Sequence, residues 1–350
     1  MTKYWQIGSG SGDRDYSEEC IELGMAFVGE GNYGTMQQIA EGNIIVLRHG
    51  QSKVVAVGRA VRHPEEDRVT GCGDKDLSRD FVGWDLPAYC YVEWYRPRPP
   101  LEKITGMSRS ALSRIHEDGP KKHADYVLAF EREPDGKPGK DLANREILEL
   151  EEVRDYLVSK GLKSEVAETF VPKLKRIQDL AEHYYGFGYR SWDDVKEHEA
   201  RTFLIVPLLL SLGWEERRIK IELSPDKLNV EKQGNKSIDI ACFSQDFRPG
   251  EDQINRENCK VLIESKRFSS GVTTQAVEQV KNYAEMSGCK LVLVSNGYCY
   301  KAFVRDENEE FPDKPAAYLN LRALARDYPF DPDVGGALEL LRLLMPESWM

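Results

Sequence analysis

Two apolar runs constrain this chain more than any other feature: Ser237-Ile238-Asp239-Ile240-Ala241 and Val261-Leu262-Ile263-Glu264-Ser265-Lys266-Arg267. Both have the composition of buried strands, yet each carries a carboxylate inside or at the end of its apolar stretch. An ionised group among buried apolar side chains is costly unless something pairs with it. Burial beside a second like charge also raises a carboxyl pKa unless a cation compensates. Glu264 and Lys266 stand two residues apart, so alternation along a strand points both to one face. Two carboxylates and an ammonium at neighbouring strand ends suit divalent-metal hydrolysis of a phosphodiester. In that chemistry Asp239 and Glu264 are hard oxygen ligands for Mg²⁺, with Mn²⁺ able to substitute, and Lys266 orients or activates the attacking water.

The rest of the sequence must house such a site. Its 350 residues have room for two domains. An apolar share of 41% and a mean hydropathy of -0.54 describe a water-soluble protein. No run approaches the roughly 18 apolar residues of a membrane span. Met1-Thr2-Lys3-Tyr4-Trp5 lacks the apolar core of a signal peptide, so a cytoplasmic location and no membrane partner are expected. The seven cysteines form no C-x-x-C pair, as expected of reduced thiols. A net charge of -11 argues against a protein that coats nucleic acid by bulk charge. It leaves open a local basic channel on an acidic body.

Along the chain, 43–48 and 53–61 are β-rich runs around a hairpin-turn sequence, His49-Gly50-Gln51-Ser52, and 89–95 is a further strand. Arg96-Pro97-Arg98-Pro99-Pro100 marks a first boundary. Residues 101–194 read as a helical connector, with a short helix over 108–116 and longer ones over 144–159 and 165–185. A strongly apolar helix follows over 197–212. Strands at 217–223, 236–243 and 260–266, a helix over 273–287 and a strand at 290–295 complete an α/β order. The tail from Tyr318 to Pro346 is amphipathic and is expected to cap that core.

Around the carboxylates the chain resembles the PD-(D/E)XK nuclease superfamily, most closely the amino-terminal nuclease domain of type I restriction enzyme motor subunits. The resemblance covers roughly 195–305. It rests on His198-Glu199-Ala200-Arg201-Thr202 opening a helix that ends in Leu212-Gly213-Trp214, on Asp239, on Glu264-Ser265-Lys266, and on Gln279-Val280-Lys281-Asn282-Tyr283. Val294-Ser295-Asn296-Gly297-Tyr298 resembles the strand and turn that follow. The family's Pro-Asp pair is here Ile238-Asp239. The resemblance implies a restriction-endonuclease-like core over 195–350, with Asp239 and Glu264 on the metal and the Ser265 carbonyl as a third ligand. It also implies that Glu199 binds a second ion or orients the first, and that Gln279 touches Lys266, the phosphate or the water.

The first hundred residues are rich in aromatics. They resemble the PUA-like superfamily, especially its EVE and YTH branches, through Trp5 with the Gly8-to-Gly12 turn, 40–46, 54–61, Gly83-Trp84 and Val92-Glu93-Trp94. That resemblance implies a β-barrel over 1–100 that accepts a flipped modified base. Trp5, Ser9, Tyr16, Phe27 and Trp84 are the candidates for its pocket. The expected whole is a multidomain α/β and β protein: base-reading barrel, helical connector and nuclease. Its expected function is modification-dependent DNA restriction in antiviral defence, with pairing into a homodimer to cut two strands. A defence nuclease triggered by a nucleotide or RNA signal is one alternative. A non-catalytic nucleic-acid-binding protein is the other, and the intact Asp239, Glu264 and Lys266 set disfavours it.

Overall fold

The computed structural model describes residues 2–11, 14–50, 52–72, 86–98, 106–129, 133–138, 146–187, 194–231, 237–268, 274–306, 310–312, 314–328 and 333–349. Of residues 11, 14, 274 and 275 only the backbone is described. Contacts divide the chain into two units, Met1–Ala143 and Asn144–Met350.

The first unit is built on a sheet. Its strands are β1 (Tyr4–Gly8), β4 (Met25–Val28), β5 (Ile44–His49), β6 (Lys53–Ala60), β7 (Thr70–Cys72), β8 (Ala88–Tyr95) and β9 (Leu112–Arg114); the short β2 (Gly10–Ser11) and β3 (Arg14–Asp15) pair separately. The strand order is β4-β8-β6-β5-β1-β9, with β7 on β8. The expected β5–β6 hairpin is present, and β1 lies parallel to β5. The sheet curls into a half-barrel, and a complete PUA-like barrel, as expected here, is not shown among the described residues. At its far end the sheet continues past β1 into β9, which pairs antiparallel with it.

Strand β9 also replaces the helix expected over 108–116. Ser108, Ser110 and Ser113 are poor helix formers, and Gln6 of β1 holds this segment through Ser108 and Ser113. The helices expected to form a connector belong to the two cores instead. Helix Asp118–Leu128 buries Ala124 and Val127 against Val46, Val54 and Val57 in the first unit. Helices Leu150–Ser159 and Ser164–Tyr185 bury Val153, Leu157, Phe170 and Leu174 in the second. Each apolar stripe needs a partner surface, and a free-standing connector offers none.

The second unit holds β10 (Ile219–Leu223), β11 (Ile238–Phe243), β12 (Cys259–Ser265), β13 (Leu291–Ser295), β14 (Cys299–Val304) and β15 (Ala317–Asn320), paired in that order. Only the β12–β13 pair is parallel, and helix Thr274–Ser287 links it while packing on both strands. Strands β11, β12 and β13 are buried nearly throughout, as strands covered on both faces must be. The tail does more than cap: β15 completes the sheet, and helix Ala337–Leu344 packs on it. No helix among the described residues is long and apolar enough to cross a membrane.

The apolar helix expected over 197–212 is interrupted. Glu197–Ala200 is α-helical, Arg201–Ile205 is a π-turn and Val206–Ser211 is α-helical again. The Val206 N–H reaches back five residues to the Arg201 carbonyl. Pro207 has no N–H to give the residue four before it and would crowd that carbonyl, so the widened turn relieves both problems. Gly297, at φ +100°, lets the β13–β14 turn lie against this helix, where a Cβ would meet Leu204 at 2.8 Å.

Candidate active site

Asp239 and Glu264 lie on neighbouring antiparallel strands. One step beyond the Ile240–Ile263 pair, the β11–β12 register sets them level, and opposite residues in such a pair share a face. Asp239 is 8% exposed and Glu264 5%.

Each carboxylate is held by named donors. The Ser265 N–H and hydroxyl both donate to Asp239 Oδ2, at 2.7 and 2.8 Å. Arg201 Nη2 donates to Asp239 Oδ1 at 2.9 Å. Glu264 Oε1 accepts from Lys266 Nζ at 2.6 Å and from Gln279 Nε2 at 2.9 Å. Lys266 is anchored in turn by its own N–H to the Ser295 carbonyl. Glu264, Lys266 and Gln279 therefore meet at one oxygen.

Burial pushes the Glu264 carboxyl up to about 7, the Asp239 and Glu197 charges push the same way, and Lys266 opposes them. Tyr283, one helical turn beyond Gln279, has its phenol raised by burial and by the Glu264 and Asp239 charges. Among the described residues its buried hydroxyl has no hydrogen-bond partner.

These donors are compatible with a divalent cation. Each carboxylate oxygen has about two lone-pair sites. Asp239 Oδ2 has both engaged, Oδ1 keeps one, and Glu264 Oε2 has no partner among the described residues. Two hard oxygens thus stay open on carboxylates that repel each other. Among the described residues no group of three or more His, Cys, Asp and Glu side chains could itself hold a metal. Mg²⁺ is commonly held by one or two carboxylates with waters and substrate phosphates completing its shell.

The helix glutamate nearest this site is not the one expected. Glu199 accepts from the Lys196 N–H at 2.8 Å and so caps its own helix. Glu197 instead reaches Arg201 at 3.2 Å and the Ser265 hydroxyl at 3.5 Å. Arg201 also pairs with Glu222 at 3.0 Å. Glu222 sits between the registered pairs Ile221–Ile240 and Leu223–Ile238, level with Asp239, with left-handed backbone at φ +53°. Reading the sequence missed Glu197, Arg201 and Glu222. The i,i+4 spacing of Glu197 and Arg201 at the head of an apolar helix was the available signal.

Four of the residues expected to line a base pocket, Trp5, Ser9, Tyr16 and Phe27, are buried in the first unit. Trp5 is 2% exposed, and its indole donates to Asn43 at 3.0 Å. Tyr16 donates its hydroxyl to the Gly8 carbonyl at 2.6 Å, Phe27 is buried in β4, and Ser9 bonds the Arg48 carbonyl. Trp84 lies outside the described residues. Lys281 donates to the Pro312 carbonyl, and Arg62 pairs with Glu41 and Asp67. Arg267 and Arg59 are exposed.

The family model for the type I restriction enzyme R protein N terminus (HSDR_N) matches residues 196–314. The matched stretch runs from the helix of Glu197 past β14, and it supports a restriction-enzyme-like nuclease domain there. Comparison with curated proteins gives no match.

Proposed function

We propose that this chain is a Mg²⁺-dependent DNA endonuclease of the restriction type. The observation that carries the reading is the level pair Asp239 and Glu264 with Lys266 bonded to Glu264, inside the stretch similar to a restriction-enzyme nuclease domain. Asp239, Glu264 and the Ser265 carbonyl would hold the cation. When bound, that ion would stabilise charge on the scissile phosphate and acidify a water. Lys266, anchored through its backbone to β13, orients that water, and Gln279 keeps Glu264 and Lys266 in register. Glu264 would hold the cation as its carboxylate.

The first unit is proposed as the reader that restricts cutting to DNA with a modified base. This part rests on the resemblance of residues 1–100 to base-reading domains. Trp5, Ser9, Tyr16 and Phe27, the candidates for its pocket, are buried in that unit. Two copies acting together cut both strands. The test is digestion of matched DNAs that carry different cytosine and adenine modifications, with Mg²⁺ and with EDTA. Cleavage of one modified DNA, abolished by EDTA, is expected. Equal cutting of unmodified DNA contradicts the reader, and cutting in EDTA contradicts the metal site.

A further inference from the structure

Arg201 is the most constrained cation of the second unit's site. It is 5% exposed, and all three of its guanidinium nitrogens are engaged. Nε donates to the Ser265 hydroxyl at 3.1 Å, Nη1 to Glu222 at 3.0 Å, and Nη2 to Glu197 at 3.2 Å and Asp239 at 2.9 Å. These partners come from its own helix, β10, β11 and β12. A planar guanidinium held at four points fixes the position of whatever it touches, which a flexible ammonium does not.

The backbone is irregular at both ends of this contact. The π-turn begins at Arg201, and Glu222 adopts a left-handed conformation within a strand. Such departures persist where the surroundings over-determine them, and they concentrate at functional sites. Neutralising Asp239 needs one positive charge. Here that charge is itself braced by two further carboxylates, one of them on a side chain 67% exposed.

We infer that Arg201 is a positioning residue: with Glu197 and Glu222 as its braces, it fixes Asp239 Oδ1 toward the cation position beside Glu264. This rests on the metal-nuclease reading and adds residues that touch neither cation nor DNA.

The test uses the full chain, with Ca²⁺ as the probe in calorimetry and single-turnover DNA cleavage in Mg²⁺. Asp239→Asn is measured first. If it binds Ca²⁺ as the parent does, the nuclease reading fails independently of Arg201. Arg201→Lys keeps the charge and removes the planar fork. It is expected to weaken Ca²⁺ binding by about tenfold and to lower the cleavage rate similarly, with KM for DNA unchanged. Glu222→Gln alters only a largely exposed side chain and is expected to shift both readings in the same direction. Parental Ca²⁺ affinity and cleavage rate in both variants overturn the inference. Should Arg201→Lys not fold, parental values in Glu222→Gln alone overturn it.

Discussion

Ser265 donates two hydrogen bonds, from its backbone N–H and its hydroxyl, to one oxygen of Asp239 across the β11–β12 pair. The strand that carries Glu264 thereby also sets the rotamer of Asp239, so the two carboxylates are held as one unit. Ser265→Ala removes one of the two bonds and leaves Arg201 Nε without its acceptor. DNA cleavage is expected to fall by about tenfold, with loss of roughly 1–2 kcal/mol of stability. Single-turnover kinetics and urea unfolding check the two values.

Glu264 gives the pH prediction. Its folded carboxyl titrates near 7 instead of its ordinary 4.5. Between these values the folded state binds more protons than the unfolded one, so stability falls as pH rises. The contribution is fully present below about 4.5 and is lost as pH passes 7; a shift of this size corresponds to about 3 kcal/mol. In EDTA, the parent should lose stability relative to Glu264→Gln across this window. Parallel unfolding curves at pH 4.5 and 7.5 would contradict it.

The two helix glutamates should separate. Glu197→Gln removes a brace of Arg201 and a neighbour of Ser265, and cleavage is expected to drop by about tenfold. Glu199→Gln should leave the rate near parental and cost about 0.5 kcal/mol at the helix terminus. Steady-state cleavage by the two variants decides between them.

How far the site was legible follows from geometry. Asp239, Glu264 and Lys266 could be read because strand alternation is a fixed period of two, so spacing alone assigns a face. Gln279 was named from its motif as touching Lys266, the phosphate or the water, and in the structure it donates to Glu264. Which glutamate of the 197–200 turn faces the sheet depends on helix phase, and the π-turn at Arg201 is invisible to a regular helical period. Glu222 was illegible for a related reason: its place opposite Asp239 depends on a left-handed residue inside a strand. In the first unit, aromatic density suits a base pocket and a sheet core equally well, and burial decides for the core at Trp5, Tyr16 and Phe27.

That burial has its own consequence. Trp5→Ala deletes a core side chain and removes the nearer of the two donors to Asn43 Oδ1, so a loss of about 3–5 kcal/mol is expected. Denaturant unfolding should report it, together with loss of affinity for every DNA alike. Selective loss of modified-DNA binding at parental stability would return Trp5 to a reading role.

On the proposed function, Asp239, Glu264 and Lys266 form a cation-dependent phosphodiesterase site. Its most direct test is Mg²⁺-supported DNA cleavage by the parent, Asp239→Asn and Lys266→Met, at equal folded concentrations. The parent should cut with Mg²⁺ and not with EDTA, and each variant should be slower by about 100-fold or more. Undiminished cutting by Lys266→Met would contradict the account.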